Sequence, residues 1–144
     1  MAYITQTEKK ELAPNIKKVL KSYGMKGTIG INHHSTLVVN LKEGNLDLIG
    51  AANKLNRIYA ERYSRPYSGD IEGYFQANPY RDSADYKRID PEIASFYKDL
   101  IEAMKGLKWF NKSDIMTDYH HVAYYLSINV GSRKPYILTV QDSD

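Results

Sequence analysis

The hydrophobic period changes at Lys26, and that change constrains the fold more than any other feature of the chain. Between Thr5 and Gly24, the apolar residues Leu12, Ile16, Val19, Leu20 and Tyr23 recur at spacings that share one face of an α-helix. Thr5 and Glu8 make a Thr-x-x-Glu capping box at the start of this run, and Gly24 is a stop signal at its end. Pro14 lies inside the pattern and should kink the helix or restart it at its own first turn. Beyond Lys26 the period is two. Ile29 and Ile31, then Leu37, Val39 and Leu41, alternate with Thr28, Gly30, Val38 and Asn40, which predicts two strands joined near Asn32 to Ser35.

The rest of the chain repeats both periods. A short helix is predicted from about Leu48 to Arg62, with Leu48, Ala52, Leu55 and Tyr59 on one face, although "NLDLI" also admits the end of a strand. Asp90 caps a helix opened by Pro91, and Ile93, Phe96, Tyr97, Leu100, Ile101 and Met104 form its stripe before Gly106. Val122, Tyr124, Leu126, Ile128 and Val130 then share a strand face, "GSRKP" turns the chain, and "YILTV" makes the last strand. The expected fold is a single α+β domain over residues 1–144, an antiparallel sheet of four or more strands packed against two to three helices. Each half reads as a helix followed by a hairpin. That order admits a pseudo-duplication, and two copies of a common motif explain it equally well.

Between these elements, residues 64–90 show neither period and carry Pro66, Gly69, Gly73 and Pro79 as breakers. A loop of that length inside a domain is uncommon and often functional. Tyr74, Tyr80 and Tyr86 alternate there with Arg81 and Arg88, the mixture that stacking on bases and neutralising phosphates requires. A surface loop pinned by aromatic anchors is the plainer account of the same residues.

Net charge is +3, and the first 26 residues hold six lysines against two glutamates. Lys10, Lys17 and Lys21 fall together opposite the apolar stripe of the first helix, with Lys18 beside them. Such a ridge suits phosphate or an acidic protein surface, or is simply a solvated face. The chain has no cysteine, which excludes disulfides and thiolate metal sites and fits a reducing cytoplasm. No apolar run is long enough to span a membrane, and no cofactor signature of the Gly-rich phosphate-binding kind is present.

All four histidines occur as adjacent pairs, His33–His34 and His120–His121. Neighbours on a strand point to opposite faces, so one residue of each pair at most can reach a shared cleft. Two facing imidazoles can act as acid and base on a phosphodiester, and two-histidine phosphoesterases carry a His-x-Thr or His-x-Ser motif in each of two halves. "HHST" supplies His34-x-Thr36, but "HHVAY" has no matching hydroxyl after His120 or His121. The enzyme reading therefore rests on His34 and Thr36 with His120 or His121, against ordinary hydrogen-bonded or turn histidines. No metal site is expected: Asp114 and Asp118 read as turn and cap residues.

The segments "IKKVLKSYGMKGTIGINHHSTLVVNLKEG" and "SDIMTDYHHVAYYLSINVGSRKPYIL" resemble small proteins of tailed bacteriophages. The first is similar in layout to a domain associated with large polyvalent proteins of phages and conjugative elements. The resemblance implies a viral gene product in an infected bacterial cytoplasm, an accessory or counter-defence factor. With the residues, it gives an expected non-catalytic protein that binds nucleic acid or a host protein through Lys10, Lys17, Lys18, Lys21, Tyr74, Tyr80, Arg81, Tyr86 and Arg88. A structural or oligomerisation module is the remaining alternative.

Overall fold

In the computed structural model, residues 3–67, 69–77, 85–106, 124–131 and 134–139 are described. The Thr5 side chain accepts from the Glu8 amide at 3.0 Å, and the Glu8 carboxylate returns a bond from the Thr5 amide at 3.3 Å. This satisfies donors that the first turn of a helix leaves unpaired, and α1 runs from Gln6–Ser22. The helix runs on through Pro14, whose ring is exposed, so it does not restart there. Ile16 and Leu20 are buried, and Leu12, Val19 and Tyr23 pack beside them. Gly24, at φ +67°, then reverses the chain into the sheet.

β1 (Met25–Asn32) and β2 (Thr36–Gly44) form the expected antiparallel hairpin, with a bulge at Lys26/Gly27. Its turn is unusual in composition. His33 and His34 have φ of 53° and 60°, as a type I′ turn requires at both central positions, and the Ser35 amide closes it on the Asn32 carbonyl. Asp47 caps α2 (Leu48–Arg62) through the Gly50 amide at 2.9 Å, so "NLDLI" opens a helix. After β3 (Phe75–Ala77) and a helical turn at 85–89, Asp90 and Pro91 start α3 (Pro91–Lys105). β4 (Tyr125–Val130) and β5 (Ile137–Leu138) complete the described elements.

The fold is α+β, but the sheet is mixed. Its order is β1-β2-β4-β3, with β4 parallel to β2 and antiparallel to β3. Parallel pairing needs a crossover of a dozen residues or more, and the chain from Asn45 to Tyr124, with α2 and α3 in it, provides one. The second expected hairpin is also absent. β5 pairs with β2 in the same direction as β4, so both strands lie along one edge of β2 and do not pair with each other as a hairpin. Gly131, at φ +80°, donates to the Leu41 carbonyl at 2.9 Å, and Thr139 donates to that of Gly44 at 2.8 Å. A helix-hairpin duplication does not describe this topology.

The register separates two faces. Inward lie Ile31–Leu37–Leu126, Ile29–Val39–Ile128–Ala77 and Leu41–Val130–Phe75, across neighbouring strands. Leu37, Val39, Leu41 and Val130 are fully buried, each contributing about 1.5–3 kcal/mol. α1 packs on β1 and α3, α3 on β4, and α2 sends Leu48, Ala51 and Leu55 into the same cluster. The outer face carries Thr28, Asn40, Asn129 and Gln76 in one row, then Gly30, Val38 and Ser127, then Asn32, Thr36 and Tyr125. None of these is buried, and the described helices pack on the opposite, inner face.

Candidate functional site

Lysines on α1 and β1 meet at the end of the sheet where β1 begins and β2 finishes. Lys17 and Lys21, four residues apart on α1, project on the same side with Leu20 between them. Met25 and Lys26 of β1, Glu43 and Gly44 of β2, and then Asn45 and Thr139 complete an open groove of about 650 Å³. Its floor is held from below. The Tyr136 hydroxyl donates to the Leu46 carbonyl at 2.7 Å and lies 3.7 Å from the Met25 Sδ. Burial, and then the charges of Asp47 and Glu43, push that phenol up, so it stays a neutral donor. Thr139 donates to the Asn45 Oδ1 at 3.1 Å, and the Asn45 amide bonds the Gly24 carbonyl, fixing the rim.

The groove's charge is unbalanced. Lys26 Nζ and Glu43 Oε1 are 3.8 Å apart with side chains 79% and 35% exposed, a screened pair of little energetic weight. Lys17 and Lys21 form no ion pair among the described residues. Three cations against one carboxylate, over a floor of Leu20 and Met25, focus a positive potential into the cleft. Lysines around an apolar floor suit the binding of an anion.

Of the lysines read from the sequence, the structure brings Lys17 and Lys21 into this groove. Lys10 and Lys18 are exposed outside it, Lys10 lying two helical turns, about 10 Å, from Lys17 along α1. Lys26 and Asn45 were not singled out by sequence. Lys26 follows the helix stop at Gly24, in a different element, and only the fold returns it to the ridge.

The loop expectation needs correcting. Residues 64–90 include β3 and the helical turn at 85–89, so part of the segment is regular. Tyr74 is 53% exposed and Arg88 is exposed, as surface contacts would be. Tyr86 is 2% exposed with its ring 5.2 Å from that of Tyr97, so it is a core residue. Residues two apart on a helix point in nearly opposite directions, which turns Tyr86 inward as Arg88 turns outward. Ile89, three residues after Tyr86 and also packed on the core, was the sequence signal for this. Tyr80 and Arg81 lie outside the described residues.

His33 and His34 sit on the hairpin turn and are exposed. The His34 ring stacks with Tyr3 at 6.5 Å and 22°, and its carbonyl accepts from the Ile4 amide at 2.8 Å, pinning the segment before α1 to the hairpin. Thr36, the hydroxyl of the His-x-Thr reading, points to the outer face opposite Tyr125. His120 and His121, like Asp114 and Asp118, fall outside the described residues. Among the described residues no group of three or more His, Cys, Asp or Glu is placed to hold a metal. No described helix is long and apolar enough to cross a membrane. Comparison with protein-family models, with curated proteins and with solved structures returned no match.

Proposed function

We propose that the protein binds nucleic acid through the lysine-lined groove and does so without catalysis. The carrying observation is the convergence of Lys17, Lys21 and Lys26 on one cleft that holds a single carboxylate, Glu43. Phosphates are the abundant polyanions that such a cleft attracts, and Lys10 and Lys18 on the adjoining helix surface extend the field along the ligand. The resemblance to tailed-phage proteins suggests the setting, an accessory or counter-defence role in an infected bacterial cytoplasm.

The test is fluorescence anisotropy with a labelled oligonucleotide at several salt concentrations. If three phosphates are neutralised, log affinity falls with log salt at a slope of about −2 for a single strand, roughly 20-fold between about 50 and 200 mM. Lys17→Glu with Lys21→Glu should flatten that slope to a magnitude below about 1 and weaken binding at every salt concentration. Absence of binding to any nucleic acid, or binding indifferent to salt and to these substitutions, refutes the proposal and leaves an acidic host protein as the partner to seek.

A further inference from the structure

The outer face of the sheet has a composition that the groove does not explain. An open sheet face is ordinarily covered by apolar packing or studded with charges, and this one carries amides and hydroxyls. Thr28, Asn40, Asn129 and Gln76 stand side by side across β1, β2, β4 and β3, a row about 14 Å wide at the usual spacing between strands. Asn129 Nδ2 donates to Asn40 Oδ1 at 3.0 Å, and Gln76 Nε2 donates to Ser127 Oγ at 3.1 Å. These bonds orient the amides and use only part of their capacity, since each amide offers two donors and two lone pairs.

We propose that this face receives the unpaired bases of a single-stranded nucleic acid whose phosphates enter the lysine groove. The inference rests on the proposed function and adds the form of the ligand. Three observations favour it. Asparagine and glutamine match base edges with one donor and one acceptor, and the Watson–Crick edges are open to them only where bases are unpaired. In the next row, a Cβ placed on Gly30 would meet nothing within 4 Å, which leaves open space along the β1 edge of the face. Tyr125, 51% exposed in the row beyond, presents a ring on which a base can stack.

Continuity supplies the direction. Lys26 lines the groove and Thr28, two residues further along β1 and so on the same face, opens the amide row, so a strand leaving the lysines passes onto the face. A second sheet or a partner helix is a poorer fit, because Val38 and Tyr125 are the only large apolar side chains in the three rows, and interface cores are apolar. A duplex keeps its bases stacked, and a flat row of neutral amides meets its backbone without the charges that hold it.

The full-length protein is tested by anisotropy against one mixed sequence presented as single-stranded DNA, as single-stranded RNA and as duplex DNA. The wild type should prefer a single strand, the DNA and RNA arms telling which sugar the face accepts. Tyr125→Leu should lose about tenfold in single-strand affinity while Tyr125→Phe keeps it within about twofold, since the ring and not the hydroxyl stacks. Gly30→Val fills that open space with a side chain that meets no neighbour, so the melting temperature should hold or rise while single-strand affinity falls about tenfold. A Gly30→Val protein that melts normally and binds a single strand like the wild type overturns the inference, as does equal affinity for duplex. If Lys17→Glu with Lys21→Glu abolishes binding while Gly30→Val does not, the face is refuted and the groove stands. The converse refutes the groove as the phosphate site.

Discussion

Asn53→Ala isolates what holds the segment that delivers β3, and with it Gln76, to the sheet. Asn53 lies on α2 and holds the backbone of one residue at both its polar groups: its Nδ2 donates to the Ile71 carbonyl at 3.0 Å, and its Oδ1 accepts from the Ile71 amide at 2.7 Å. Both residues are half-buried, so water replaces these bonds incompletely once the side chain is removed. At about 0.5–1.5 kcal/mol for each bond, the substitution should cost about 1–3 kcal/mol. For a chain of 144 residues that lowers Tm by roughly 3–10 °C. One turn along α2, Arg57 bonds Asp70 at 2.9 and 3.0 Å, and the Tyr67 hydroxyl bonds the same carboxylate. Tyr67, and then Arg57, hold the Asp70 carboxyl below its usual range, yet Arg57 and Asp70 are about half exposed or more, and solvent screens them. Asp70→Asn should therefore leave Tm nearly unchanged. Urea titration followed by circular dichroism gives the stabilities, and hydrogen exchange at Ile71 and Gln76 shows whether the opening is local or global. The reasoning fails if Asp70→Asn proves more damaging than Asn53→Ala, because the surface ion pair would then be the fastening.

The hairpin turn places two histidines in the left-handed region, where a residue with a Cβ costs about 1–2 kcal/mol and Asn or Gly less. His33→Asn with His34→Gly should raise stability by about 0.5–1.5 kcal/mol in thermal unfolding, and a loss would mean that the His34–Tyr3 stack outweighs the strain. Tyr23 donates to Asp99 at 2.7 Å across α1 and α3; that bond first, then burial, then the charges of Asp99 and Glu92, push its phenol up to about 12. A folded-state value above the unfolded one near 10 means the contribution is whole below about pH 10 and lost as pH rises through about 12. Tyr23→Phe should thus be about 1–2 kcal/mol less stable at neutral pH, with the gap closing between about pH 10 and 12 in denaturant titrations. A gap unchanged across that range would refute the assignment.

The helices were legible because their signals are local. A capping box, a Pro after a capping Asp and an apolar stripe each act within a few residues, and each is found where the sequence places it. The pairing of β1 with β2 was legible for the same reason, since only three residues, His33 to Ser35, separate the two strands. The direction of β4 was not. Alternation tells which side chains face the core, and a strand with Ile128 and Val130 inward satisfies it equally in a parallel or an antiparallel ladder. The choice belongs to the crossover, whose helices must lie over the inner face, and so to packing among Phe96, Tyr97 and Leu100, distant from the strand in sequence. Tyr86 was misread for a related reason: breakers on its N-terminal side hid one helical turn.

That dependence on crossover packing also explains why the outer face escaped a reading of single residues. Asn40 and Asn129 lie 89 positions apart, and each alone is an ordinary polar residue on the solvent side of a strand. Their pairing requires that β4 run beside β2 in one register, and a slip by one residue would bring Asn129 beneath the helices in place of Val130. Burying that amide without partners would cost several kcal/mol beyond the lost apolar contact, so the core itself enforces the alignment of the polar row. The amide row is therefore fixed by residues on the opposite side of the sheet. Its side chains carry little of the folding energy, which leaves Thr28, Gly30, Asn40, Ser127 and Asn129 free to be set by what they contact in solution.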